Sequence, residues 1–121
     1  MRLIVFALAL EALTGLVLVG VPSLLGRLIL GTELPALAQV MGRLAGIALL
    51  AFSAACWPDG GRTSNTRAAV RGLLLYNLLA TVFFTSLGAR GVAGPLLWPV
   101  VAIHAILSVL FVRLALAGNK P

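Results

Sequence analysis

The sequence predicts an all-α fold: an integral membrane four-transmembrane-helix bundle. Three observations carry that expectation. Four apolar runs are each long enough to cross a bilayer, which takes about 20 residues of helix. Charged residues make up 10% of the chain and hydrophobic residues 61%, with a mean hydropathy of +1.13; a soluble domain carries about 25% charged residues. The runs are also continuous and rich in leucine and alanine, unlike the alternating segments of about ten residues that build a membrane β-barrel. The 121 residues read as a single transmembrane domain.

The first helix is expected over about 3–21, "LIVFALALEALTGLVLVGV", and ends at Pro22. A secretory signal peptide also opens with a basic residue and an apolar run. Glu11 inside the run, and the lack of a soluble region to export, argue against cleavage. The following "PSLLGRLIL" puts Leu24, Leu25, Leu28 and Ile29 on one face and Arg27 off it. That pattern predicts a short interfacial helix over 22–30, the alternative being a continuation of the first helix past a proline kink. The second spanning helix is placed at 36–57, before Pro58. A polar loop, "PDGGRTSNT" at 58–66, leads to Thr66 as N-cap of the third helix, 67–88. A tight "ARGVAG" turn precedes the fourth, about 95–117.

The net charge is +6. Basic chains often bind nucleic acid, but with this hydropathy the arginines are expected to mark cytoplasmic helix ends. Arg2, Arg62, Arg67, Arg71, Arg113 and Lys120 fall on one side of a four-span topology, Arg27 and Arg90 on the other. Both termini are therefore expected in the cytoplasm, with the chain in the plasma (inner) membrane of a bacterium. Trp57 and Trp98 fall near helix ends, where tryptophans anchor. Cys56 is the only cysteine, so it has no disulfide partner within the chain and no metal-binding spacing; it reads as a packing residue.

Ionisable and amide side chains inside the runs are expensive, so their placement carries the functional expectation. At about 1.5 Å per residue, Glu11, Arg43, Asn77 and His104 each fall near the middle of a different helix. Small or polar neighbours extend each position into a stripe: Ala7–Glu11–Gly15, then Gln39–Gly42–Arg43–Gly46, then Asn77–Thr81–Thr85–Gly88, then His104–Ser108. Gly42 and Gly46 have the GxxxG spacing that lets a neighbouring helix approach closely. Glu11 is expected to pair with Arg43, with Asn77 or His104 completing the hydrogen bonds. Tyr76 is expected between helices. Such a cluster serves either to fix helix register or to hold a ligand, ion or proton.

Three functions fit. The first is a binding module for a lipophilic molecule with a polar head, such as a quinone. There Arg43 would hold an acceptor group, His104 and Tyr76 would exchange protons, and Glu11 would orient Arg43. The second is a proton-coupled small-molecule transporter: "LALEALTG" resembles the glutamate-bearing first helix of small multidrug-resistance proteins. A facing Arg43 would impede proton exchange there, and the short loops of that family leave no room for residues 22–35. The third is an accessory subunit of a larger membrane assembly, or a homo-oligomer, with a purely structural cluster. An enzyme has least support: HxxxH, GxSxG and paired carboxylates are all missing. A metal site held by three protein ligands lacks the residues, and haem would have to rely on His104 as its single axial ligand.

"GRLAGIALLAFSAACW", "RGLLLYN" and "LLWPVVAIHAIL" together resemble a group of uncharacterised small bacterial four-helix membrane proteins, over about two thirds of the chain. The layout is also distantly similar to DoxX-like proteins. The resemblance implies the four-helix fold and, by analogy, a quinone-linked or redox-accessory role. It assigns no residue.

Overall fold

The computed structural model describes residues 1–58 and 63–117, the side chains of 63–65 excepted. Its elements are α1 (Arg2–Gly20), α2 (Pro22–Leu25) running directly into a π-helical turn (Gly26–Leu30), α3 (Ala36–Ala55), α4 (Thr63–Ala89) and α5 (Leu97–Ala117). α1, α3, α5 and α4 from Thr66 onward are long and apolar enough to cross a membrane. Their outer surface is made of side chains that a water-soluble protein would bury, including Phe6, Leu13, Leu37, Leu44, Leu79 and Ile106.

Local chemistry sets the boundaries. α1 stops at Val21, which leaves helical geometry (φ −137°, ψ 70°). Pro22 cannot donate back into α1 but suits the first position of a new helix. Residues 22–30 therefore form a separate short element and not a kinked extension of α1. The π turn closes at Gly31, whose φ of +72° lies in the left-handed region; a Cβ there would fall 2.9 Å from the Ala93 carbonyl oxygen. Arg27 and Glu33 form an ion pair across this turn.

Three expected helix limits shift. α3 ends at Ala55, with Cys56 and Trp57 in a turn whose N–H groups donate to the carbonyls of Phe52 and Ala54. α4 begins at Thr63, so Thr66 lies inside the first turn and is not the N-cap. α5 begins at Leu97, and Pro99 is accommodated in its first turn, where no helical N–H is required. Residues 59–62 of the expected loop, Arg62 among them, and Lys120 lie outside the described residues.

The helices form two antiparallel pairs, α1 against α3 and α4 against α5. The pairs are tied together at both ends. At the end carrying Arg2 and Arg67, a buried core joins Ile4, Ala7 and Leu8 of α1 to Ala69, Val70 and Leu73 of α4 and to Leu107 and Phe111 of α5. At the other end the tie is backbone to backbone: the N–H groups of Gly94 and Leu96 donate to the carbonyls of Ile29 and Leu28, both at 2.8 Å. Those carbonyls lie in the last turn of the helical segment, where no following helical N–H can pair them, so the α4–α5 loop satisfies groups that a helix end leaves open. α2 is not laid flat away from the bundle. Pro22 and Gly26 are buried, and Pro22 packs towards Gly42 of α3. Between the two ties the pairs part into a cleft, crossed by the contacts of Tyr76 with Phe52 and Glu11.

Candidate functional site

The space between the pairs is an apolar cleft of about 1200 Å³, partly open to the exterior. All four long helices and the α2 segment line it. Leu18, Leu49, Ile29 and Phe83 are typical of its walls, and its polar lining residues are Glu11, Thr14, Tyr76 and His104.

Glu11 comes from the buried stripe of α1, with Ala7 on one side and Gly15 on the other. Its residue exposure is 1%, yet it is among the residues that line the cleft, and its buried Oε1 has no hydrogen-bond partner among the described residues. The Tyr76 phenol of α4 approaches this carboxyl and interacts with it. Tyr76 also packs on Phe52 of α3, with ring centroids 6.0 Å apart, and edge-on against His104 of α5 at 5.8 Å. Phe84 stacks nearly parallel on His104, 6.0 Å away at 13°. A three-ring wall of Tyr76, His104 and Phe84 thus flanks the carboxyl.

His104 is held by Asn77. Its Nδ1 lies 2.9 Å from Asn77 Oδ1, and Asn77 Nδ2 donates to the Leu73 carbonyl at 2.8 Å. Because that carbonyl can only accept, the amide is oriented with Oδ1 towards the ring. Nδ1 must then carry the proton, which leaves Nε2 as the acceptor of a neutral ring. Around this pair, Thr81 and Ser108 donate their hydroxyls to the carbonyls of Asn77 and His104, both at 2.8 Å. On α1, Thr14 likewise donates to Leu10 at 2.9 Å.

Asn77, Tyr76, His104 and Glu11 therefore come together, while Arg43 and Gln39 do not join them. Arg43 is exposed and is not part of the cleft wall, so the expected Glu11–Arg43 pair does not form. The cause is the seating of α3 on α1. Added Cβ atoms would put Gly46 2.6 Å from the Gly15 carbonyl oxygen and Gly15 2.9 Å from that of Gly46. This close approach sets Glu11 level with about residue 50 of α3. Arg43 lies level with about Leu18, some 10 Å along the axis at 1.5 Å per residue. Gln39 is used locally, its Nε2 donating to the Leu34 carbonyl at 3.0 Å before the start of α3. Gly42 and Gly46 both face α1 and α2, not a separate partner.

The sequence reading did not single out Phe52, Phe84 or Ser53. Ser53 is buried with Oγ unpartnered among the described residues. It stands seven residues beyond Gly46, two helical turns along the same face, which is the signal that marks it. Cys56 is half-buried against the hydrophobic core, consistent with a packing role. No family model, no curated protein and no solved structure matches the chain.

Proposed function

We propose that the protein is an integral membrane binding protein whose cleft takes a lipophilic small molecule with a polar, hydrogen-bonding head, quinone-like in size and flatness. One observation carries this reading. A large apolar cleft has its polar groups gathered at one depth, and one of them, Glu11, is buried without a full set of partners. Apolar pockets with a few convergent polar groups are the usual form of small-molecule sites, and an intramembrane carboxyl without a cation beside it marks a functional position. The rings of Tyr76 and Phe84 offer flat surfaces for an aromatic head. Arg43 has no place in this binding mode.

The four apolar helices support residence in a membrane, and we place it in a bacterial inner membrane. Arg2, Arg67, Arg71 and Arg113 gather at one end of the bundle, against Arg27 and Arg90 at the other. By the positive-inside rule both termini are cytoplasmic; terminal reporter fusions active outside the cell would reverse this. Ligand extraction and mass spectrometry of protein purified in mild detergent test the binding reading. The wild type is expected to carry a lipophile enriched over bulk lipid, and Ala48→Phe, which fills the cleft wall, is expected to lose it. Identical extracts from the two would sink it.

A second reading, a subunit of a larger assembly, draws on Arg43. This guanidinium sits within a membrane-length helix, exposed, with no ion-pair partner among the described residues. An acidic group from another chain would satisfy it. Stoichiometric recovery of a partner that Arg43→Gln releases would favour this reading.

A further inference from the structure

We infer that the polar end of the cleft selects a head group that donates hydrogen bonds, such as a lipophilic hydroquinol, phenol or protonated amine, over a head that only accepts them. The inference rests on the binding reading above and concerns the chemistry of the ligand.

It follows from a proton inventory of the cleft-lining polar groups. The hydroxyl proton of Thr14 is spent on the Leu10 carbonyl. His104 gives its Nδ1 proton to Asn77, so its remaining ring nitrogen is a lone pair. That Nε2 has no hydrogen-bond partner among the described residues and is not a fully buried atom, and His104 lines the cleft. The Tyr76 phenol is turned to the Glu11 carboxyl. Glu11 brings an unpartnered Oε1, and no arginine or lysine is among the cleft-lining residues. What remains for a ligand is a cluster of acceptors: the carboxyl, the imidazole lone pair and the hydroxyl oxygens. If Glu11 carries a proton it supplies one donor, and the acceptors still outnumber it. A quinone carbonyl would face lone pairs with lone pairs, whereas a hydroxyl or ammonium would satisfy groups that are otherwise left unpaired in an apolar site.

The test uses the full chain in phosphatidylethanolamine–phosphatidylglycerol nanodiscs under anaerobic conditions. Three probes share one tail: decylhydroquinone, decylbenzoquinone and decyldimethylamine. Binding is read as the excess over partition into empty nanodiscs. At least one donor head is expected to bind about tenfold tighter than the quinone, as one well-made buried hydrogen bond requires. The order of hydroquinone and amine then shows which donor the site was built for. Glu11→Leu is expected to lower binding of the donor heads more than that of the quinone, so that most of the preference is lost. Wild-type protein that binds the quinone as tightly as both donors, or more tightly, overturns the inference while leaving the binding reading intact. If no probe is held beyond the empty-nanodisc level, the binding reading falls and the inference with it.

Discussion

Between α1 and α3 the helices meet backbone to backbone, with Gly15 and Gly46 so close that neither has room for a Cβ. Between α4 and α5 they are held by side chains, with Asn77 bridging to His104 and the tip of α4 packed on Trp98 through Gly88. The first contact is made of van der Waals packing and needs no polar side chain. The second consumes hydrogen-bonding capacity in both partners. The consequence is visible in what each pair leaves over. α4 and α5 satisfy their amide and most of their imidazole internally. α1 can carry a carboxyl that its own partner helix does not use, because α3 is already seated without it. The carboxyl left without a full set of partners comes from the pair whose assembly does not depend on polar contacts.

Substitutions that exchange these modes of contact break or sharpen the contrast. The largest effect is expected at Gly46→Leu, since the atoms nearest a new Cβ are two backbone atoms and the Leu18 Cβ, none of which can swing aside. Overpacking of this kind costs about 3 kcal/mol, measurable by denaturant or steric-trap unfolding in detergent. Unchanged stability would mean that α1 and α3 are not held by close approach. Next, a double-mutant cycle with Asn77→Leu and His104→Leu is expected to give a coupling of about 1 kcal/mol, the usual scale for hydrogen bonds between membrane helices. A coupling of zero would reduce that contact to packing.

Glu11→Gln is expected to raise stability by about 1 kcal/mol, because it neutralises a buried acid that has no cation beside it. Combined with Arg43→Met, its effect is expected to be additive within about 0.5 kcal/mol, as for separated sites. Strong coupling would show that the two charges do meet. Ser53→Ala is the smallest change. Its Oγ has no partner among the described residues, so the variant is expected to match or slightly exceed the wild type, by about 0.5 kcal/mol. A clear loss would reveal a bonded hydroxyl.

The helices were legible because their causes are local. Pro22 and Pro58 mark interruptions, and run length marks the spans. Of the limits that moved, those at Ala55 and Leu97 depend on end-turn hydrogen bonds that hydropathy does not register. The polar cluster was legible only within each helix. Counting depth along separate helices puts Glu11 and Arg43 in one layer. It contains neither the axial register between α1 and α3 nor the rotation of α3 about its axis. Both are fixed by Gly15 and Gly46, which turn Arg43 outward. Asn77 and His104 needed less information, since the antiparallel seating of α4 on α5 across a short loop brings their levels together. Phe52 and Phe84 look in sequence like any apolar residue, and only the gap between the pairs makes them walls.

The two ties between the helix pairs have a kinetic meaning. A frame fastened by a hydrophobic core at one end and by the Gly94–Ile29 and Leu96–Leu28 bonds at the other cannot open like jaws. In the binding reading proposed above, a lipophile would enter the cleft from the flank. For a molecule dissolved in the bilayer, that makes capture a search in two dimensions. Occupancy should then follow the mole fraction of the molecule among the lipids, and diluting the membrane with inert lipid should empty the cleft when adding water does not.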